Sequence, residues 1–384
     1  MRFIHLGDLH LGKNVNEFSM IKDQEYILNK VVSIIEDKKL DAVVIAGDIY
    51  DRSVPSEEAV KLYNDFLKAV VSKGANVFVI SGNHDSDVRT DFGSWMMEEC
   101  GVYVSGVYDG SVKSVTVEDE YGEVCFHLLP YIKAPYVRNF YPDADITSYD
   151  SALRVAVSKC EVDKDKRNVI LAHQFIAGKS SGPEFAGSEN DALNVGTIEC
   201  AGYDIFDDFD YVALGHIHSP QSIGRDTVRY AGSPLKYSLE DREISRDKMF
   251  TIVELKEKNN VEIELIPIRP LREVRHIKGH LKDILESAED TDDYIYATLT
   301  DEESQYEAMA RLREIYPNTM KMDYDNSSTR HIAEESNIVT DGKSFEELME
   351  DFFTFSRGSG PDEKEWDIIK KVAKEAGVIS LETN

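Results

Sequence analysis

Short strand-like runs alternate with helical patterns in the first hundred residues of the chain. Apolar residues recur on one helical face over Tyr26–Glu36, which predicts a helix, and Pro55 and Ser56 precede a second one. Runs rich in apolar and β-branched residues are typical of buried strands, and three lie here, at Arg2–Leu6, Ala42–Ala46 and Val77–Ile80. This alternation predicts a sheet with helices packed on it.

The pattern changes after residue 101 to short strands separated by turns. A loop rich in Gly, Ser and Glu is predicted around Gly178–Gly196, and the first unit ends near Pro270. Further strands are predicted at Val169–Ala172, Tyr211–Leu214, Arg229–Ala231, Lys248–Leu255 and Val261–Pro267. We therefore expect residues 1–270 to form one large α/β domain of the α+β type.

The remainder of the chain divides into three parts. Residues 271–326 follow a strand, helix, strand, helix, strand pattern, with helices near Leu281–Ala288 and Glu303–Tyr316 and strands at Tyr294–Leu299 and Met320–Tyr324. This is enough for a small separate α/β domain. Residues 327–342 form a predicted polar linker, and residues 343–384 contain two amphipathic helical patterns.

The charge balance limits the classes of function. The chain has 43 basic and 72 acidic residues, for a net charge of -29. Nucleic-acid binders are usually basic, so metal ions, local basic loops or a partner would have to provide the positive charge if this chain acts on nucleic acid. The simpler interpretation is that the acidity only keeps the protein soluble.

Composition indicates a globular intracellular protein. Hydrophobic residues make up 42% and charged residues 30% of the chain, which excludes a disordered or fibrous protein. The chain has no apolar run of membrane-spanning length and no signal peptide at its start, so we expect a cytosolic protein without a membrane partner. The spacing of the four cysteines matches no zinc motif, and we expect them to be small buried hydrophobes.

Five short polar motifs each follow a predicted strand. A single Gly-Asp pair after a strand is usually a turn, but ligands bind at the carboxyl ends of strands in open α/β sheets, and five such ends here offer metal-binding side chains. The motifs are Gly7-Asp8-Leu9-His10, Gly47-Asp48, Gly82-Asn83-His84-Asp85, Ala172-His173 and Gly215-His216-Ile217-His218. Together they predict a metal site.

The number of ligands and their spacing refine this prediction. Asp8 and His10, like His216 and His218, are two residues apart, and extended backbone would point each pair to one side of its strand. The set is too large for one ion and suits two ions that share a carboxylate, the arrangement that stabilises both oxygens of a displacement at phosphorus. Mixed oxygen and imidazole ligands favour Mn, Fe or Zn over Ca or Mg.

The order of these motifs resembles the calcineurin-like metallophosphoesterase superfamily. Within it, the segments DLHLGK, AGDIYDRSVPS, SGNHDS, DYVALGHIHSPQ and YAGSPLKYS resemble the SbcD-type nucleases of DNA double-strand-break repair. The resemblance is strong over residues 1–270. It implies a four-layer β-sandwich flanked by helices, followed by a small DNA-capping domain and a helical tail.

The resemblance also implies a role for each motif residue. One ion would be bound by Asp8, His10, Asp48 and His218, and the other by Asp48, Asn83, His173 and His216. His84 would contact the scissile phosphate and protonate the leaving 3′-oxygen. Asp85 would orient His84 through a hydrogen bond, with a turn-capping role as the alternative. The cofactor would be two divalent ions, most suitably Mn²⁺, with Mg²⁺, Fe²⁺ or Zn²⁺ as further choices.

The implied partners are DNA and an SbcC-type ABC ATPase with a long coiled coil. Lys13, Arg52, Arg89 and Lys236 follow ligand motifs and are candidates for contact with DNA, although any one of them has ordinary surface solvation as its simpler explanation. The tail helices would bind the ATPase or pack on this chain itself. Their candidate contact residues are Phe345, Leu348, Phe352, Trp366 and Ile369.

Three functions remain open at this point. The first is a metal-dependent nuclease in an SbcCD-type complex, with 3′-to-5′ exonuclease activity on duplex ends and endonuclease activity on single strands and hairpins. The second is a phosphoesterase for small substrates, and the third is a non-catalytic scaffold for the ATPase. The resemblance further implies a homodimer within a heterotetramer, for which Met20, Ile21, Leu62, Tyr63 and Phe66 are candidate interface residues.

Overall fold

Strands that are buried on both faces form the centre of the protein. The computed structural model describes residues 1–178, 182–186, 200–327, 329, 345–357 and 360–375. The strands within these ranges are β1 (Arg2–Leu6), β2 (Asn14–Val15), β3 (Phe18–Ser19), β4 (Ala42–Ala46), β5 (Asn76–Ile80), β6 (Val102–Ser105), β7 (Lys113–Asp119), β8 (Gly122–Leu129), β9 (Arg167–His173), β10 (Ile176–Ala177), β11 (Ala201–Gly202), β12 (Tyr211–Gly215), β13 (Gln221–Ile223), β14 (Arg225–Tyr230), β15 (Met249–Leu255), β16 (Val261–Pro267), β17 (Val274–Gly279), β18 (Tyr294–Leu299) and β19 (Thr319–Tyr324).

Most helices connect these strands. They are α1 (Ile21–Lys38), α2 (Glu57–Ser72), α3 (Asp87–Asp91), α4 (Ser94–Glu98), α5 (Ala134–Phe140), α6 (Tyr149–Val157), α7 (Asp241–Ile244), α8 (Leu281–Glu286), α9 (Ala308–Ile315), α10 (Phe345–Arg357) and α11 (Glu363–Glu375), with a 3₁₀ turn at Tyr203–Phe206. Within the described ranges, no helix combines the length and the apolarity needed to cross a membrane.

Local signals fix the limits of the predicted helices. α2 begins as predicted after Ser56, whose side chain accepts a hydrogen bond from the N–H of Ala59 at 3.2 Å. α1 is longer than predicted and ends at Lys39, which is left-handed with φ 52°. The prediction that the second helix of the small domain begins at Glu303 is wrong, because Glu307 is left-handed, with φ 49°, and α9 begins after it.

Two six-stranded sheets have similar layouts. The first has the order β16-β15-β1-β4-β5-β6, in which β1, β4, β5 and β6 are parallel. The second has the order β13-β14-β12-β9-β8-β7, in which β14, β12, β9 and β8 are parallel. In each sheet, antiparallel strands occur only at the edges of the parallel set.

The two sheets pack face to face with helices outside them. Phe3, Phe78, Phe126 and Tyr211 fill the space between the sheets, where Phe78 and Phe126 stack with ring centroids 3.9 Å apart. The opposite face of the first sheet packs on α1 and α2, and that of the second packs on α5 and α6. Because every central strand is buried on both faces, its sequence is a continuous apolar run. The expected four-layer architecture is confirmed.

The chain forms two compact units. The first contains Met1–Ile277, Leu285–Ala297 and Glu307–Met322, and the second contains Lys278–Ile284, Thr298–Tyr306 and Asp323–Asn384. The predicted strand and helix order after residue 270 is found as β17, α8, β18, α9 and β19, with the sheet order β17-β18-β19. The domain boundaries at residues 270, 326 and 342 stay predictions. Most of the predicted linker 327–342 and of the loop 178–196 lies outside the described residues.

Candidate metal centre

All five polar motifs lie where parallel strands end. β1, β4 and β5 of the first sheet and β9 and β12 of the second sheet end next to one another, because the strands of each set are parallel. The structure thus brings together side chains that are up to 210 positions apart in the sequence, namely Asp8, His10, Asp48, Asn83, His84, His173, His216 and His218. This is the position where open α/β sheets bind ligands.

Asp8, His10 and His218 form a group that we call the buried cluster. One ligand atom from each lies within 4.8 Å of the others, and all three side chains are buried. The Nε2 atoms of His10 and His218 are 3.1 Å apart. Asp8 also accepts a hydrogen bond from the backbone N–H of His216 at 2.9 Å, which ties the loop after β1 to the loop after β12.

Asn83, His173 and His216 form a second group that we call the open cluster. Oδ1 of Asn83 lies 3.0 Å from Nε2 of His173 and 3.0 Å from Nδ1 of His216. His173 is fully buried, and its Nδ1 donates a hydrogen bond to the carbonyl of Ala46 at 2.8 Å. Asn83 is exposed and His216 is half-buried, so this cluster faces solvent.

Asp48 lies between the two clusters. Its Oδ2 is 3.6 Å from Nε2 of His10 and 3.3 Å from Nε2 of His173. Its Oδ1 accepts a hydrogen bond from the backbone N–H of His84 at 2.8 Å. A carboxylate in this position can contribute to two cation sites at once.

The backbone of the ligand loops is left-handed at four motif residues. The φ angles are 52° at Asp8, 44° at His10, 50° at Asp48 and 98° at His216. Residues other than glycine rarely adopt such angles, which cost free energy and concentrate at functional sites. Asp8 and His10 do reach the same cluster, as expected, but through left-handed rather than extended backbone.

For the second pair, the expectation that both side chains reach one place is wrong. His216 belongs to the open cluster and His218 to the buried cluster, so the two side chains serve different groups. The turn after Gly215, in which His216 is left-handed, separates them.

Glycines precede these ligands because the strand ends are crowded. Gly47 has φ 84°, and a Cβ atom there would lie 2.4 Å from Nδ1 of His173. A Cβ atom on Gly215 would lie 1.9 Å from the carbonyl oxygen of Ala46. The glycines of the Gly-Asp and Gly-His motifs thus allow loops from the two sheets to approach each other.

Burial keeps three of the histidines neutral. It lowers the pKa of His10 and of His216 to about 3, and that of His218 well below its usual range. Burial acts in the same direction on His173, but the Asp48 carboxylate outweighs it and raises the pKa of His173 to about 9. His173 in turn holds the pKa of Asp48 low against the effect of burial. Neutral imidazoles offer lone pairs to a cation, and His173 would release its proton on binding one.

These groups fit divalent cations. His10 and His218 present facing Nε2 atoms, and two neutral imidazoles can satisfy each other only if one of these atoms carries the proton. Nδ1 of His10 is buried and has no hydrogen-bond partner among the described residues. Imidazole nitrogen together with carboxylate and amide oxygen is the ligand chemistry of Mn, Fe and Zn. The two clusters have the composition of a two-metal site.

His84 lies at the solvent side of this centre. Its ring is exposed and meets the ring of His10 edge to face, with centroids 4.8 Å apart. Nδ1 of His84 donates a hydrogen bond to the carbonyl of Asp51 at 2.9 Å, which directs Nε2 away from the loop.

The expected hydrogen bond from Asp85 to His84 is not formed. Asp85 instead accepts hydrogen bonds from the backbone N–H groups of Gly82, Ile49 and Tyr50, at 2.9, 3.1 and 2.9 Å. It thus joins the loop after β4 to the loop after β5, which is the turn-capping alternative.

The four predicted DNA contacts differ in their surroundings. Arg52 and Arg89 are exposed and remain candidates. Lys13 is mostly buried and pairs with Asp51 at 2.8 Å. The prediction for Lys236 is wrong, because its side chain is only 11% exposed and donates to the carbonyl of Ile244 and to Glu273. A lysine close in sequence to a motif can point into the protein.

The predicted protein contacts are only partly accessible. Of the dimer candidates, Met20 and Phe66 are core residues, so their prediction is wrong, whereas Ile21, Leu62 and Tyr63 are half-buried. In the tail, the candidate positions lie on α10 and α11, where Phe352 is 55% exposed. The other four tail candidates are half-buried, namely Phe345, Leu348, Trp366 and Ile369.

Two residues beside the open cluster were missed at the sequence level. The half-buried Tyr131 follows β8, and its ring centroid lies 6.4 Å from that of His216 and 6.2 Å from that of His173. The ammonium group of Lys133 lies 5.9 Å from the centre of the Tyr131 ring. β8 is parallel to β9 and therefore ends at the same edge of the sheet. Residues that follow β8 could have been recognised as candidates for this reason.

Comparisons with known proteins agree with the family that the motifs resemble. Residues 1–220 match the family model of the calcineurin-like phosphoesterases, and residues 270–357 match that of a Type 5 capsule protein repressor C-terminal domain. The SbcD protein of the SbcCD nuclease from Staphylococcus epidermidis is 30% identical over 92% of this chain and 92% of its own length. Its counterpart from Staphylococcus saprophyticus is 30% identical over 93% of this chain and 94% of its own. The resemblance found in the motifs is confirmed.

A solved structure resembles this chain with much lower sequence identity. A dimetal phosphatase from Danio rerio is 11% identical, covers 70% of this chain and 99% of its own, and has a TM-score of 0.36.

Proposed function

Since the chain belongs to the calcineurin-like phosphoesterase family, we propose that it is the nuclease subunit of an SbcCD-type complex in DNA repair and recombination. It hydrolyses DNA phosphodiester bonds at two divalent cations. The observation that carries this proposal is the pair of ligand clusters that share Asp48 next to the exposed ring of His84. Similarity to SbcCD nuclease subunits along nearly the whole chain supports DNA as the substrate.

Each cluster would hold one ion, and Asp48 would contribute to both. The buried cluster provides Asp8, His10 and His218, and the open cluster provides Asn83, His173 and His216. Two divalent ions bound there, which we propose to be Mn²⁺, would supply a nucleophile from water at neutral pH and would stabilise charge that develops on the phosphate. Mg²⁺, Fe²⁺ and Zn²⁺ are further choices.

His84 acts on the leaving group. Its Nδ1 is held by the Asp51 carbonyl, so Nε2 faces the solvent side from which the substrate arrives. From this position it contacts the scissile phosphate and gives a proton to the leaving 3′-oxygen. The exposed cations of Arg52 and Arg89, together with Lys133, would contact the DNA backbone.

The complex acts as a 3′-to-5′ exonuclease on duplex ends and as an endonuclease on single strands and hairpins. The chain itself is acidic, with a net charge of -29, and it therefore depends on a partner for much of its grip on DNA. That partner is an SbcC-type ABC ATPase with a long coiled coil. The complex works in the cytoplasm, in association with the nucleoid.

The tail helices bind the ATPase. Exposed apolar side chains support this role, since Phe352 on α10 and Ile368 and Val372 on α11 are each more than half exposed. Amphipathic helices with uncovered apolar residues are suited to a helix-in-groove contact with a coiled coil.

The chain forms a homodimer within a heterotetramer. The segment from α3 to α4 supports this proposal, because Val88, Phe92, Trp95 and Met96 are 68, 79, 72 and 51% exposed. Soluble proteins seldom expose so many large apolar residues within nine consecutive positions, unless that surface binds another protein.

A nuclease assay on the full chain tests the proposal. With Mn²⁺, alone and with the ATPase, we expect cleavage of an end-labelled linear duplex, and in His84→Gln a loss of about 10²- to 10⁴-fold with Mn²⁺ binding retained. His280→Gln, at a histidine that is 60% exposed and outside the clusters, is the control and should cleave normally. Turnover of a nitrophenyl phosphodiester without duplex cleavage would instead indicate a phosphoesterase for small substrates.

A further inference from the structure

Gln24 is a buried polar residue that no motif contains. It lies in the first turn of α1 and is only 2% exposed. Its side chain reaches the loop that carries Asp8 and His10. A buried amide must satisfy both its donors and its acceptor, so the partners of Gln24 define what it does.

All the partners of Gln24 belong to the ligand loop or contact it. Nε2 donates to the carbonyl of His10 at 2.8 Å and to the hydroxyl of Tyr237 at 3.1 Å, and that hydroxyl donates to the carbonyl of Leu9 at 2.6 Å. Oε1 accepts a hydrogen bond from the N–H of Gly12 at 2.9 Å. The two amide hydrogens, the amide oxygen and the tyrosine hydroxyl are all used. Only one orientation of the amide allows this.

The loop requires such support because its own backbone is unfavourable. Asp8, His10 and Gly12 have φ angles of 52°, 44° and 88°. The N–H groups of Asp8, His10 and Leu11 donate to the carbonyls of the loop after β4, at 3.1, 2.9 and 2.9 Å, whereas the N–H of Gly12 and the carbonyl of Leu9 are paired by side chains. Gln24 and Tyr237 provide these partners. Gln24 also adds a second donor at the carbonyl of His10, which accepts a hydrogen bond from the N–H of Lys13 at 3.0 Å.

Tyr237 also contacts the ligands through its ring. Its centroid lies 5.8 Å from that of His10 and 6.3 Å from that of His218, edge-on to both. Tyr237 is itself only 4% exposed. The same residue therefore pairs with the backbone of one ligand loop and packs against imidazoles from two.

We propose that Gln24, with Tyr237, is a positioning residue that sets the backbone of the loop Asp8–Gly12 for cation binding at the buried cluster. Gln24 touches neither substrate nor ion and acts only through the loop. The inference rests on the proposed metal centre but not on the identity of the substrate. Partners that orient metal ligands in this way contribute strongly to metal affinity.

Substitutions of nearly the same size test this role. Gln24→Met removes every hydrogen bond of the side chain, including a longer one from Nε2 to the carbonyl of Leu9 at 3.3 Å, and Gln24→Glu places a carboxylate oxygen against the carbonyl of His10. Tyr237→Phe is a milder change that keeps the ring and removes the hydroxyl. We expect each to weaken Mn²⁺ binding at one of two sites in the full chain, by roughly 10- to 100-fold for Gln24→Met, as measured by titration calorimetry.

Asp23 provides a matched control. It is the neighbouring residue on α1 and is fully buried, but its Oδ2 accepts hydrogen bonds from Arg272 and the hydroxyl of Tyr294, each at 2.8 Å. Asp23→Asn should therefore lower thermal stability while leaving Mn²⁺ affinity unchanged. If Asp23→Asn weakens Mn²⁺ binding as much as Gln24→Met, the effect is one of general stability and the proposal is wrong.

A kinetic measurement separates positioning from loss of folding. With a nitrophenyl phosphodiester, Gln24→Met should need roughly 10- to 100-fold more Mn²⁺ for half-maximal turnover and should reach the kcat of the wild type at saturation. Unchanged Mn²⁺ dependence in Gln24→Met overturns the proposal. A wild-type chain that binds no Mn²⁺ overturns both this inference and the metal centre, whereas one that binds Mn²⁺ but does not cut DNA overturns only the nuclease proposal.

Discussion

The two ligand clusters are built from similar side chains and differ in what surrounds them. The buried cluster of Asp8, His10 and His218 is closed off from solvent, and its loops are held from behind by buried polar residues. The open cluster contains the exposed Asn83 and the half-buried His216 and lies beside Tyr131, whereas His84 contacts His10 at the solvent side of the centre. The protein thus holds the side chains of the buried cluster in place, whereas the open cluster is accessible from solvent.

The support behind the buried cluster includes an ion pair. The ammonium of Lys248 donates to the carbonyl of His218 at 3.0 Å, to Oγ of Ser233 at 2.8 Å and to Glu243 at 2.8 Å. Lys248 is 5% exposed and Glu243 is fully buried. Placing charges in the interior is costly, and here they hold the backbone of His218, a member of the buried cluster.

Substitution of Asp48 should weaken cation binding at both clusters. Asp48→Ala removes the carboxylate that lies between them, and we expect the rate of phosphodiester hydrolysis to fall by about 10³-fold or more. Calorimetry should show Mn²⁺ binding weakened at both sites, whereas His218→Ala should affect one site only. Two equal losses in His218→Ala would show that the clusters do not act as separate sites.

Removal of Lys248 should destabilise the fold through the ion pair that lies behind the buried cluster. Lys248→Met leaves the carboxylate of Glu243 buried without its partner, so we expect the free energy of unfolding to drop by about 3–5 kcal/mol in urea titrations. The double variant Lys248→Met/Glu243→Leu removes both charges and should regain most of this loss. If the double variant is no more stable than the single one, packing rather than charge explains the effect.

Substitution of Tyr131 should alter only the accessible side. An aromatic ring next to the open cluster can stack on a nucleobase, and Tyr131→Ala should raise the KM for a single-stranded oligonucleotide by about tenfold. Tyr131→Phe retains the ring and should behave like the wild type. An equal rise in KM for a nitrophenyl phosphodiester would contradict a role in contacting bases.

The fold was predictable where burial leaves a local pattern. β1, β4 and β18 begin and end at the predicted residues, because strands that are covered on both faces consist of apolar runs. The edge strand β16 also has its predicted limits, although it contains no fully buried residue, because its apolar and polar residues alternate. The start of α9 was not predictable, since it depends on a left-handed turn at Glu307 that no periodicity reveals.

The site was predictable in composition but not in its internal contacts. Asp85 is adjacent to His84 in sequence, yet it pairs with backbone groups of Ile49 and Tyr50. Lys236 follows a motif and nevertheless points at Glu273. Such contacts join positions more than thirty residues apart in the sequence. Patterns within a short segment of the sequence do not reveal them.

The sequence by itself determined which side chains meet at the sheet edge, because a ligand that directly follows a parallel strand has only one edge at which to lie. Which ligands belong together was implied only by the family resemblance, and the tertiary structure shows how the backbone separates them. His216 and His218 are two residues apart and enter different clusters, since the backbone turns left-handed at His216. That conformation is stable because hydrogen bonds from distant elements hold the loops in place, and these hydrogen bonds form only in the folded chain.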